Sequence, residues 1–146
     1  VTGVQTCALP IYLISMTDVL EHTEHPPHEV AKVRQLLRPG GYFLVTFPDI
    51  ASPSSRYLYL LSKLTGREWI WNTCHIPLHV WEFTYATAMR LFTENGFSLV
   101  DFQRCQDFAF EATLPGLLAS PSNLAAIPGV SRWAGNQMEF LLRRTD

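Results

Sequence analysis

With 146 residues, 47% of them hydrophobic and 12% aromatic, the chain has the length and apolar content of one globular domain, not of a disordered segment. Its formal net charge of −2, without a run of Lys or Arg, argues against a partner gripped through a nucleic-acid backbone. No stretch approaches the roughly 20 apolar residues of a bilayer span, and Cys74 and Cys105 lack paired metal-type spacing, so a protein of the reducing cytoplasm is expected.

Leu13-Ile14-Ser15-Met16 is a short apolar run that reads as a strand. It gives way to Asp18-Val19-Leu20-Glu21-His22, two carboxylates and an imidazole within five residues. Polar groups at the carboxyl end of a strand are where open α/β sheets do their chemistry. After Pro26-Pro27 the spacing predicts a helix with Val30, Val33, Leu36 and Leu37 on one face. Pro39 cannot continue that helix, and Gly40-Gly41 supplies the free backbone needed to turn back. Tyr42-Phe43-Leu44-Val45-Thr46-Phe47 then reads as a strand buried on both faces. Two parallel strands joined by one helix imply a right-handed crossover.

Asp49 to Ser55 is a Ser/Pro-rich loop at the end of that strand, a position facing the crevice of such a sheet. Ser55 is a candidate cap for a helix to about Leu64, with Tyr57, Leu58, Leu61 and Leu64 on one side and Gly66 ending it. Glu68 to Glu82 gathers Trp69, Trp71 and Trp81 with His75 and His79, which suits a lid or a substrate wall, although any one tryptophan is better read as a plug between elements. Thr84 caps an expected helix from Tyr85 to about Asn95, with Tyr85, Ala88, Met89 and Phe92 inward and Gly96 closing it. Phe97 to Phe102 reads as a strand, the prolines at 115, 121 and 128 break up the region from Phe108 to Trp133, and Gln137 to Leu142 forms a last strand before Arg143-Arg144.

Taken in order, Leu13 to His22, Leu36 to Pro48, Trp69-Ile70-Trp71, His79, Phe83-Thr84 and Asn95-Gly96-Phe97 resemble the class I S-adenosylmethionine-dependent methyltransferases. The nearest likeness is to the bacterial group that includes quinone-biosynthesis O-methyltransferases. It implies an α/β fold: a partial Rossmann-like sheet of about four strands, the last antiparallel and inserted between its two predecessors, with helices on both faces and a small lid at 49–82. It also implies S-adenosylmethionine as cofactor and a small-molecule methyl acceptor. Members of that family hold the cofactor through a glycine-rich turn after their first strand and an acidic residue after their second. Nothing before Leu13 can be those strands, so the expectation is a carboxyl-terminal half (12–146), inactive as it stands. Val1 to Ile11 resembles a translated sequencing adapter and is set apart from the fold as a segment 1–11.

The resemblance also implies roles. Asp18, Glu21, His22 and the distant His79 are similar to the set that holds Mg²⁺ in small-RNA 2′-O-methyltransferases, although Asp18 stands where those relatives carry Glu. A metal-free reading makes His22 a general base oriented by Glu21. A structural reading has Asp18 and Glu21 accepting backbone amides before Pro26. His75 could replace His79, while His25 and His28 read as exposed. Met16 and Thr17 fall where relatives touch the cofactor. A non-catalytic ligand-binding module and a different Rossmann-like enzyme are the competing classes. An open edge at Leu13 to Thr17 predicts a marginal, aggregation-prone protein.

Overall fold

The computed structural model describes residues 10–66, 79–105, 132 and 135–146, with the side chains of Leu58 and Leu61 excepted. Four strands form one mixed sheet in the order β1-β2-β4-β3, where β1 is Ile11–Thr17, β2 Leu37–Pro48, β3 Phe97–Cys105 and β4 Gln137–Arg144. β1 and β2 are parallel, and β4 runs antiparallel between β2 and β3, as expected. A turn of 3₁₀ helix (Leu20–His22) and helix α1 (Pro26–Leu36) connect the first two strands; α2 (Pro53–Thr65) and α3 (Tyr85–Glu94) follow.

Alternation along the strands places the core. Phe43, Val45 and Phe47 on β2 pair in register with Leu142, Phe140 and Met138 on β4, and all six are fully buried. Val30 and Val33 of α1 and Ala88 and Phe92 of α3 complete the same cluster, so this sheet face is sealed by helices with apolar residues three or four apart. The opposite face is less covered. Leu44 and Thr46 are half-buried and Tyr42 is exposed, so the expectation of burial on both faces holds for one face only.

Several boundaries differ from the sequence reading, each for a local reason. The Pro-Gly-Gly segment does not precede β2 but lies inside it, as an irregularity: between Ile11↔Leu37 and Leu13↔Tyr42, two steps along β1 correspond to five along β2. Gly40 takes φ 71°, and a Cβ on Gly41 would stand 2.9 Å from the Arg38 carbonyl oxygen, so only glycines allow this bulge. Leu36 is exposed, since the chain leaves α1 there and Leu37 takes the buried position from the strand.

Helix α2 is capped by Ser52, not Ser55. The Ser52 hydroxyl accepts from the Ser55 amide at 3.1 Å, and Pro53 occupies the first helical turn, where its missing N–H costs nothing. Gly66 ends the helix as expected, but Tyr57 and Leu64 are exposed. Thr84 caps α3 in a reciprocal box with Thr87, and Tyr85, though partly exposed, stacks on Phe140 at 5.9 Å. Trp69, Trp71, His75 and the region from Phe108 to residue 131 lie outside the described residues.

Candidate active site at the carboxyl end of the sheet

The candidate residues arise where β1 ends. Asp18 adopts a left-handed backbone, φ 51°, while its amide still donates to the Thr46 carbonyl at 3.0 Å, so the ladder closes and the chain bends at one residue. The 3₁₀ turn that follows drives Leu20 and Glu21 inward and leaves His22 partly exposed. Leu20 belongs in the apolar core. Glu21 is one position on and is buried with it, at 1% exposure.

A second segment meets this turn. The amides of Val80 and Trp81 both donate to the Glu21 carbonyl, at 2.9 and 3.1 Å. The segment continues to Phe83, which forms a parallel bridge with Asp49 and accepts at its carbonyl from the Ile50 amide at 3.1 Å. These backbone bonds bring His79 to the Glu21-His22 pair from 57 positions away along the chain from His22. The His22 and His79 rings pack edge to face with centroids 4.7 Å apart, and one ligand atom each from Glu21, His22 and His79 lie within 4.8 Å of one another.

Both Glu21 carboxylate oxygens are buried without a hydrogen-bond partner. Burial pushes this carboxyl above its ordinary range. The backbone at Glu21 itself acts in the opposite sense; the Asp18 charge adds to the rise and His22 reduces it. An orphaned buried carboxylate is costly, and a cation between it and two imidazoles would relieve that cost. The donor set of two imidazoles and one carboxylate therefore fits a divalent ion.

Asp18 does not join that set among the described residues. Its Oδ1 instead accepts from the Gln137 side-chain amide at 3.0 Å, a partner with no local signal in the sequence. Of the two residues expected at the cofactor, Met16 turns its side chain against the core, while Thr17 is exposed at the strand's end. His25 and His28 are exposed, as expected.

A buried node beside the site also escaped sequence reasoning. Asp49 is wholly buried; its Oδ2 accepts a hydrogen bond from Arg104 Nε at 2.9 Å and forms an ion pair with Nη2 at 2.9 Å, and its Oδ1 accepts from the Ala51 amide at 2.9 Å. The Asp49 amide donates to the Asn136 carbonyl at 2.7 Å. This joins the ends of β2 and β3, the start of β4 and the segment from His79 to Phe83.

Residues 7–101, well over half of the chain, match the family described as a methyltransferase domain. The chain belongs to that family. Solved methyltransferases share its fold: an S-adenosylmethionine-dependent methyltransferase of Thermotoga maritima aligns over 94% of this chain and 60% of its own, with TM-score 0.56 and 14% identity. One from Mesorhizobium loti aligns over 92% of this chain and 62% of its own, with TM-score 0.55 and 16% identity. The [4+2]-cyclase SpnF aligns over 94% of this chain and 52% of its own, with TM-score 0.53 and 15% identity. At such identities the likeness establishes the fold alone, and a cyclase among these structures shows that the fold does not fix the reaction. The methyltransferase-domain chain spans between 52% and 62% of the length of these three proteins. Comparison with curated proteins gives no match. No helix among the described residues is long and apolar enough to cross a membrane.

Proposed function

We propose that the chain carries the acceptor-side portion of an S-adenosylmethionine-dependent methyltransferase that methylates an oxygen of a small molecule. Glu21 and His22 lie at its reacting centre, and Glu21, His22 and His79 hold a divalent ion. The observation that carries this reading is the buried Glu21 carboxylate, without a hydrogen-bond partner and with two imidazoles beside it, at the carboxyl end of a methyltransferase-domain sheet. Such an ion would supply Lewis acidity that eases loss of the acceptor hydroxyl's proton to solvent; the O–CH3 bond then forms as the S–CH3 bond of the sulfonium breaks, leaving S-adenosylhomocysteine. Glu21 contributes the charge, and its burial keeps competing water away. His22 is partly exposed, and its assigned role is to orient the hydroxyl for in-line approach to the sulfonium methyl. Thr17, exposed at the end of β1, is the better placed of the two expected cofactor contacts.

The metal-free reading, with His22 as general base steered by Glu21, is less well supported. His22 Nε2 and Glu21 Oε1 are 4.0 Å apart, beyond hydrogen-bonding distance, so the carboxylate does not fix the imidazole's tautomer in this arrangement. The test is methyl transfer by the longest reading frame containing residues 12–146, with methyl-labelled S-adenosylmethionine and a panel of hydroxylated small molecules. His22→Ala and Glu21→Gln are each expected to lower kcat by about 100-fold or more. Undiminished transfer in both variants would overturn the assignment.

A further inference from the structure

We infer that Gln137 is a positioning residue for this centre: its buried side-chain amide holds Asp18 at the rim as an outer carboxylate, which leaves Glu21, His22 and His79 as the protein ligands. The inference rests on the metal reading of the site given above.

Asp18 is constrained twice. Its main chain is fixed by the left-handed bend at φ 51° and by the amide bond to the Thr46 carbonyl. Its side chain is fixed by Gln137 Nε2, which reaches Oδ1 from a strand 119 positions later in the chain. Gln137 itself has little freedom to follow Asp18 elsewhere. It is 7% exposed and opens β4, in register with Pro48 on β2 and Cys105 on β3. A carboxylate held at both ends by the sheet cannot swing into the cluster without losing the amide bond or straightening the bend.

The consequence is chemical. With Asp18 inside, the centre would offer two carboxylates and two imidazoles, a more oxygen-rich set at which a hard ion such as Mg²⁺ competes better. With Asp18 held outside, one carboxylate and two imidazoles remain, and such a set favours a first-row transition ion. Asp18 still acts through space, since its charge adds to the upward push on the Glu21 carboxyl. Gln137 thereby selects the class of ion without touching it.

The test titrates the 146-residue chain with Co²⁺ and with Mg²⁺ by calorimetry, and records the visible absorption of bound Co²⁺. Wild type is expected to prefer Co²⁺. Asp18→Asn, whose side-chain carbonyl can still accept from Gln137, should bind Co²⁺ within about threefold of wild type with an unchanged spectrum. Gln137→Leu frees Asp18 and should shift the Mg²⁺ to Co²⁺ preference towards Mg²⁺ by about tenfold, the scale of an outer-sphere change. A loss of packing alone would lower the melting temperature without moving that ratio. If Asp18→Asn weakens Co²⁺ binding tenfold or more, Asp18 is an inner ligand; the inference falls and the centre stands. If Gln137→Leu leaves the ratio unchanged, the positioning role falls. If Gln137→Leu does not fold, Gln137→Met, which keeps the side-chain volume without the amide, is read in its place by the same ratio, and an unchanged ratio there overturns the positioning role. If wild type binds neither ion, the metal reading itself fails, and the inference with it.

Discussion

Replacing Arg104 by Met tests the node that holds the site together. Asp49 is fully buried, and Arg104 supplies both the hydrogen bond and the ion pair at its Oδ2. Met keeps most of the aliphatic volume but removes the charge, leaving a buried carboxylate with only the Ala51 amide on its other oxygen. Breaking a buried pair from one side costs about 3–5 kcal/mol. Arg104 is a quarter exposed, so water can approach the vacated side and the lower end, about 3 kcal/mol, applies. For a chain of this length that corresponds to a fall in Tm of roughly 6–12 °C. The assay is urea denaturation and calorimetry of Arg104→Met, Asp49→Asn and the double variant. The asparagine carbonyl in Asp49→Asn can still accept from the Ala51 amide, so the double variant should recover at least about 1 kcal/mol relative to the sum of the singles. The same variants should disturb amide resonances at Val80 and Trp81, because Asp49 bridges to Phe83. A cost below about 1 kcal/mol in Arg104→Met, with no coupling in the cycle, would refute the claim that this pair organises the end of the sheet.

Other outcomes follow from the same geometry. Because the Glu21 carboxyl is raised, the folded apo chain binds more protons than the unfolded one. Stability should therefore fall as pH rises above the unfolded value of 4.5, until the folded group has also ionised. Denaturant titrations across pH check this, and Glu21→Gln should flatten that fall. Phe140 lies 4.9 Å from Phe102, 5.3 Å from Phe92, 5.7 Å from Phe47 and 5.9 Å from Tyr85, so Phe140→Ala should lose about 3–5 kcal/mol and broaden the aromatic spectrum. Thr84→Ala removes one half of the capping box and should cost about 1 kcal/mol by the same denaturation assay. On β1, Ile11, Tyr12 and Leu13 are exposed, and no described strand pairs with its outer edge. Leu13→Lys should reduce aggregation in light scattering with little change in Tm, since charge on an edge strand opposes further pairing.

Periodicity carried most of the fold. Val30 and Val33, Ala88 and Phe92, and the apolar runs of β2 and β4 are spaced as their elements require, and the burial follows that spacing. What escaped was set by contacts distant in sequence or by backbone chemistry at single residues. Pro39-Gly40-Gly41 reads locally as a turn, yet pairing with β1 absorbs it as a bulge. Leu36 continues the helical stripe, yet the chain's departure into β2 exposes it. Ser52 and Ser55 are equally good caps by type, and Pro53 decides between them by fitting the first turn.

The candidate site was legible in part for the same reason. Glu21 and His22 are neighbours, and their place at a strand's end is a local signal. His79 comes in only because the 79–83 segment bonds to the Glu21 carbonyl, and the family resemblance, not spacing, pointed to it. The partners Gln137 for Asp18 and Arg104 for Asp49 are 119 and 55 positions away, and nothing local marks them. They come within reach only because β4 lies between β2 and β3.

The most direct measurement is histidine side-chain NMR of the chain during Mn²⁺ addition. Glu21, His22 and His79 forming one centre predicts that the His22 and His79 resonances broaden together at substoichiometric ion, ahead of the exposed His25 and His28, and that Glu21→Gln abolishes the effect. Broadening of all the histidines alike, or of His22 and His79 at separate ion concentrations, would contradict it.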